Sequence, residues 1–105
     1  MANTENLYQD QVIGPFSAGE DIMAKIKAQA STEGGFSTDC YVWHLGIKSD
    51  TDTIFNIKLN DSTTAAIPIK IGSTGIYEIG NTKVVSIIPQ QNVDDETIID
   101  FVLQA

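Results

Sequence analysis

The stretch Tyr41 to Leu59, YVWHLGIKSDTDTIFNIKL, decides the fold class. Apolar and polar residues alternate along it. Tyr41, Trp43, Leu45 and Ile47 fall on one side of an extended chain, and Phe55, Ile57 and Leu59 fall on one side of a second. Period two is the signature of a half-buried antiparallel strand, because successive side chains point to opposite faces. The intervening KSDTDT is rich in Asp, Ser and Thr, whose short polar side chains bond their own backbone in turns. Two strands and a turn are therefore expected here.

The same period recurs downstream at Ile67, Ile69 and Ile71. Further strands are expected at Ile76 to Ile79, Val84 to Ile88 and Thr97 to Leu103, separated by NDSTTA, GSTG, GNT and PQQNVDDE. Six or more short strands at this spacing predict a mostly β fold, an antiparallel β-sandwich of jelly-roll-like or flattened-barrel type.

Upstream the period changes. A short strand at Val12 to Phe16 is expected to end near Gly14-Pro15. Ser17 and Glu20 have the spacing of a capping box, and Ile22, Met23, Ile26 and Ala30 make one helical stripe. A short helix at about 18–30 is expected to lay that stripe on the sheet, with Gly34-Gly35 ending it. Residues 1–11 lack periodicity and read as a flexible or partner-ordered arm. Residues 12–105 then form a single domain, since a chain of 105 residues has room for one core.

Composition excludes several function classes. Six lysines, no arginine and fourteen acidic residues give a formal charge of −8, and the lysines are scattered singly. Without a basic cluster, nucleic acid is not an expected partner. No apolar run reaches the ~18 residues of a membrane helix, and the polar start MANTENLYQDQ is unlike a secretory signal. A soluble chain made in a cytoplasm is expected. The single cysteine, Cys40, cannot form an internal disulfide, and its apolar surroundings predict a buried thiol.

Candidate chemical motifs reduce to structure. GSTG, Gly72 to Gly75, looks like a phosphate cradle, but such a loop needs a following helix, and IYEI alternates like a strand. Gly72, Thr74 and Gly75 instead read as a structural turn signature, with the glycines supplying dihedrals that side chains resist. The aspartates of SDTDT lack the glycine and the closing Glu of a calcium loop. Asp94, Asp95 and Glu96, with help from Asp61 or Asp10, read as a solvated turn more readily than as a cation site. His44 has no sequence-defined partner for metal or general-base work, so it and Tyr77 are taken as ligand or interface contacts. No catalytic, cofactor or metal residues are assigned, and enzyme activity is not expected.

One pattern goes further. LGIKSDTDTIFNIKLND, then IPIKIGSTGIYEIGNTKVVSIIPQ, then DDETIIDFVLQ, resembles small virion proteins of tailed bacteriophages of Gram-positive bacteria. The residues that carry the resemblance are Gly46, Ile47 and Lys48, then Ile71, Gly72, Thr74 to Glu78, Ser86 and Ile87, and finally Ile99 to Phe101. It implies a β-sandwich structural subunit of the virion, a capsid decoration or head/tail accessory part without catalysis or cofactor. Its partners would be other virion proteins and copies of itself, and it would be assembled in the host cytoplasm. A carbohydrate- or cell-surface-binding module of a tail or fibre is the alternative, motivated by Trp43, Tyr41, Tyr77 and Tyr8. A metal-dependent hydrolase built on Asp94, Asp95 and His44 is a third reading.

Overall fold

The computed structural model describes residues 7–50, 52–61, 63, 65–72 and 75–105. The chain is mostly β. Its elements are β1 (Leu7–Ile13), α1 (Met23–Gly34), β2 (Tyr41–Lys48), β3 (Thr53–Leu59), β4 (Ile67–Ile71), β5 (Ile76–Pro89) and β6 (Ile98–Gln104). The six strands form one sheet in the order β1-β6-β2-β5-β3-β4, and every pairing is antiparallel.

β5 is the hinge of this sheet. Its first half pairs with β2, from Ile76 opposite Lys48 to Gly80 opposite His44, and its second half pairs with β3, up to Pro89 opposite Phe55. Phe55 also pairs with Ile69, which puts Ile69 two strand spacings, about 10 Å, from Pro89. The seven residues from Ile69 to Ile76 reach at most about 25 Å. The two ends of β5 thus lie within about 35 Å, whereas a straight strand of that length spans about 43 Å. β5 must bend. The register shifts fall beside Gly80 to Val84, where Asn81 has φ 56°. Asn tolerates this left-handed conformation better than most side chains, so the GNT segment, expected to be a turn between two strands, is a bend within one strand.

The bent sheet encloses a single core. Leu45, Ile47, Ile99 and Leu103 are fully buried, Phe101 nearly so, and Phe55, Ile57 and Ile87 join them from the β3–β5 half. Each such side chain gives roughly 1.5–3 kcal/mol when taken out of water. α1 covers this core with Ile22, Met23, Ile26 and Ala30, all buried, as their spacing predicts.

The helix begins later than its sequence suggests. Ser17 and Glu20 do bond, the Ser17 N–H donating to Glu20 Oε1 at 2.7 Å, but they close a turn ahead of the helix. Asp21 does the anchoring. Its Oδ1 accepts the Met23 N–H at 3.1 Å and the Ile87 N–H at 3.1 Å, while Oδ2 accepts the Ser86 hydroxyl at 2.8 Å. One carboxylate thereby ties the start of α1 to β5 and satisfies donors at both. At the far end Gly35, φ 61°, takes the left-handed cap, and its N–H bonds Ser31. The helix runs on through Ser31 to Gly34, past the expected end at about residue 30.

Two further expectations change at the N-terminal side. Leu7 to Gln11, assigned to the arm, are strand: β1 runs from Leu7 opposite Gln104 to Ile13 opposite Ile98. The polar alternation of LYQDQVI hid it, because Tyr8, Asp10 and Val12 face inward and the Asp10 carboxylate is satisfied there. The Tyr8 hydroxyl donates to Asp10 at 2.7 Å, and the Gln29 amide donates to Asp10 at 2.9 Å and to the Gln11 carbonyl at 2.7 Å. Phe16, expected in a strand with Val12, forms only an isolated bridge with Val93. Residues 1–6 of the proposed arm lie outside the described residues.

Candidate functional site: the outer face of the sheet

The core claims one side of β1, β6, β2 and the first half of β5, and the other side is uncovered. Register places its residues in rows. Ile13, Ile98, Lys48 and Ile76 make one row; Gln11, Asp100, Gly46 and Glu78 make the next; Gln9, Val102, His44 and Gly80 make a third. Two large apolar side chains stand exposed in the first row, Ile13 at 54% and Ile76 at 65%.

Gly46 sits in the middle of the second row with no side chain between two carboxylates. A Cβ placed there would meet Asp100 Cβ at 3.7 Å and Glu78 Cγ at 3.8 Å, so the gap is the width of one small side chain. The result is a depression of about 420 Å³ bordered by Gln9, His44, Gly46, Ile76, Glu78 and Asp100. His44 Nε2 lies 3.6 Å from Glu78 Oε2, an ion pair only when the imidazole carries both protons. Gly80 makes that pose available: a Cβ there would lie 2.7 Å from His44 Nδ1. Asp100 has neither an ion pair nor a side-chain hydrogen bond among the described residues.

The residues singled out from sequence do not converge. His44 is exposed on this outer face. Tyr77, one position from Glu78, faces the other way, half-buried against the core, and burial pushes its phenol up. Strand alternation separates them. Gly72 and Gly75 do close a turn, the Gly75 N–H donating to the Gly72 carbonyl at 2.9 Å. Neither adopts a positive φ, however, and a Cβ on Gly75 would meet only ordinary contacts at 3.6 Å and beyond. The glycines flank the turn, so the dihedral requirement expected of them is absent. Thr74 lies outside the described residues.

Trp43 is a second correction. Alternation puts it on the core side with Leu45, but a bulge between Val42 and His44 shifts the register, and Val42 fills the core position. Trp43 is left half-exposed outside the core, its ring 6.1 Å from that of Tyr41 in an edge-on arrangement. The Lys83 ammonium lies 4.9 Å from the Tyr41 ring, within cation–π range.

The remaining candidates stay apart. Among the described residues, no three His, Cys, Asp or Glu side chains gather to hold a metal ion. Asp94 is accompanied by Asp50, whose carboxyl is pushed above the usual range by burial and then by the charge and hydrogen bond of Asp94. Cys40 is half-buried, and burial pushes its thiol up, against a smaller opposing effect of Lys27. It is a poor nucleophile in that state. No helix among the described residues is long and apolar enough to cross a membrane.

Sequence reasoning missed the grouping of Gly46, Glu78 and Asp100. The signal was present in part, since these are the outward positions between Leu45 and Ile47, Tyr77 and Ile79, and Ile99 and Phe101. In comparisons with protein-family models, with curated proteins and with solved structures, the chain matches none.

Proposed function

We propose that this protein is a non-enzymatic structural subunit of a bacteriophage virion, a capsid decoration or head/tail accessory part that works through contacts with other virion proteins and with copies of itself. The observation that carries the reading is the uncovered sheet face, with Ile13 and Ile76 each more than half exposed beside it, in a chain whose IGSTGIYEIG segment resembles such subunits. Exposed apolar side chains collected on one face favour macromolecular contact. In this reading the bend in β5 makes the sheet sandwich-like: the β1-β6-β2 half and the β3-β4 half close on the shared core. Peptide mass spectrometry of purified particles of a phage encoding this chain tests it. The chain is expected at a fixed stoichiometry to the major capsid or tail subunit, and its absence from the particles overturns the reading.

A carbohydrate-binding role has one observation in its favour. Trp43 stands half-exposed outside the core beside Tyr41, and the face of an exposed aromatic ring can stack on a sugar. Glycan-array binding that is lost in Trp43→Ala with the fold intact would support this role.

A further inference from the structure

We propose that the cavity between Lys27 and Lys83 receives the acidic turn Asp95-Glu96 of a second copy of this chain, so that copies join head to tail along the direction of the strands. The inference deepens the subunit reading by naming one of its self-contacts, and it rests on that reading for the place of the contact in a particle.

The receiving end comes first. The lysines are single in sequence, but α1 and β5 bring Lys27 and Lys83 to one cavity of about 350 Å³, walled by Met23, Cys40, Tyr41 and Val85. Both lysines are half-buried, and among the described residues neither has an ion-pair partner. Asp39 shares the border of the cavity and pairs with neither. Lys83 is held over the Tyr41 ring at 4.9 Å, a contact that orients the ammonium without neutralising it. A lysine drawn out of water calls for a counter-charge, and two that share a cavity also repel each other. A pair of carboxylates answers both needs. Trp43, its ring 6.1 Å from that of Tyr41, stands half-exposed at the same corner and adds the aromatic surface that protein contacts favour.

The entering end is on the same chain. Asp94 is used within its own turn, where its Oδ1 accepts the Glu96 N–H at 3.0 Å and its carbonyl accepts the Thr97 N–H at 3.2 Å. The turn so braced carries Asp95 and Glu96 at its tip. Both are exposed, and among the described residues neither side chain has an ion-pair or hydrogen-bond partner. Two unpaired carboxylates match two unpaired ammonium groups.

Position forbids the pairing within one copy. The turn precedes Ile98, the first residue of β6, whereas Tyr41 of the cavity pairs with Gln104, the last. The length of β6 holds the two about 20 Å apart. A second copy displaced along the strands brings them together. Cavity against cavity, or turn against turn, would oppose like charges, so the contact is heterologous and leaves a cavity open at one end and a turn at the other. It lets a chain with a formal charge of −8 meet itself where two of its six lysines gather. Repeated, the contact closes into a ring or continues as a file of copies.

The test is sedimentation velocity on the full chain between about 10 and 500 μM, in about 50 and then 300 mM NaCl. The wild type is expected to grow in mass with concentration at low salt and to fall toward a monomer at high salt. Lys27→Gln with Lys83→Gln, and separately Asp95→Asn with Glu96→Gln, should each weaken association at least about tenfold. Mixed in equal amounts, the two variants keep one intact cavity and one intact turn between them, so they are expected to form a dimer with one copy of each and to stop there. All four side chains lie outside the core, so both variants should fold, and a melting curve close to that of the wild type verifies it.

A wild type that stays monomeric at the highest concentration in low salt overturns the proposal. So does association that survives either double variant, or a mixture of the two that stays monomeric. Association abolished by Ile76→Glu and untouched by both double variants moves the contact to the outer face and overturns it as well. The contact and the virion reading fail separately: particles that contain a chain monomeric on its own reject the contact alone. Head-to-tail association of a chain absent from particles rejects the virion assignment alone.

Discussion

The inner and outer faces of β6, β2 and β5 are made by the same three strands and share no duties. Leu45, Ile47 and Phe101 point inward, at most 1% exposed, and belong to the one hydrophobic core. Gly46, Asp100 and Glu78 occupy the very next positions on the outer side, the two acids exposed to water and Gly46 buried beneath their side chains. Alternation lets one peptide segment carry a rigid support and a surface free to vary. The lesson is that here stability and recognition are separable residue by residue. A set of substitutions can strain that separation.

The largest loss is expected from Leu45→Ala, which removes a fully buried side chain at the centre of the inner face. A cost of about 2–5 kcal/mol in urea unfolding is anticipated. Asp21→Ala follows. It leaves the Ile87 and Met23 amides and the Ser86 hydroxyl without their shared acceptor, and about 1–3 kcal/mol should be lost.

Tyr8→Phe should cost less and show its cause in pH. The Tyr8 phenol is pushed up to about 12, mainly by its hydrogen bond to Asp10. A raised folded pKa means that the stabilisation is present below the ordinary tyrosine value near 10 and is lost as pH rises from there toward about 12. Melting temperatures of wild type and Tyr8→Phe should therefore differ at pH 8 and converge above pH 12.

Asp50→Asn runs in the opposite sense. The folded state raises this carboxyl, so ionising it disfavours folding, and the penalty is present above the raised value and absent below the ordinary aspartate value near 4. The variant should melt slightly higher than wild type at pH 7 and equally at pH 3. Gly46→Ala is the smallest: an added methyl meets only ordinary contacts, and stability should change by less than about 0.5 kcal/mol. A large loss there would show that the outer face is also part of the scaffold.

What the sequence revealed follows the same division. Leu45, Ile47, Phe55, Ile57 and the helix stripe from Ile22 to Ala30 were legible because burial on one side imposes a period. Irregularities were not. The bulge that exchanges Trp43 for Val42 and the left-handed Asn81 that bends β5 each shift the period locally, and a strict alternation read across them assigns the wrong face or a false turn. The grouping of Gly46, Glu78 and Asp100 was hidden for another reason. Its members come from β2, β5 and β6, and only the strand order β6-β2-β5 makes them neighbours. Alternation gives the face of each residue without saying which strand lies beside it.

The bond from Gln29 to the Gln11 carbonyl has a consequence for how copies of this protein can meet. An added strand along β1 would need that carbonyl, and α1 already holds it. The opposite border, β4, includes Pro68, which lacks a donor. Two borders blunted by different means make edge-to-edge addition end early, so the sheet resists growing into a fibre even where many copies are crowded together.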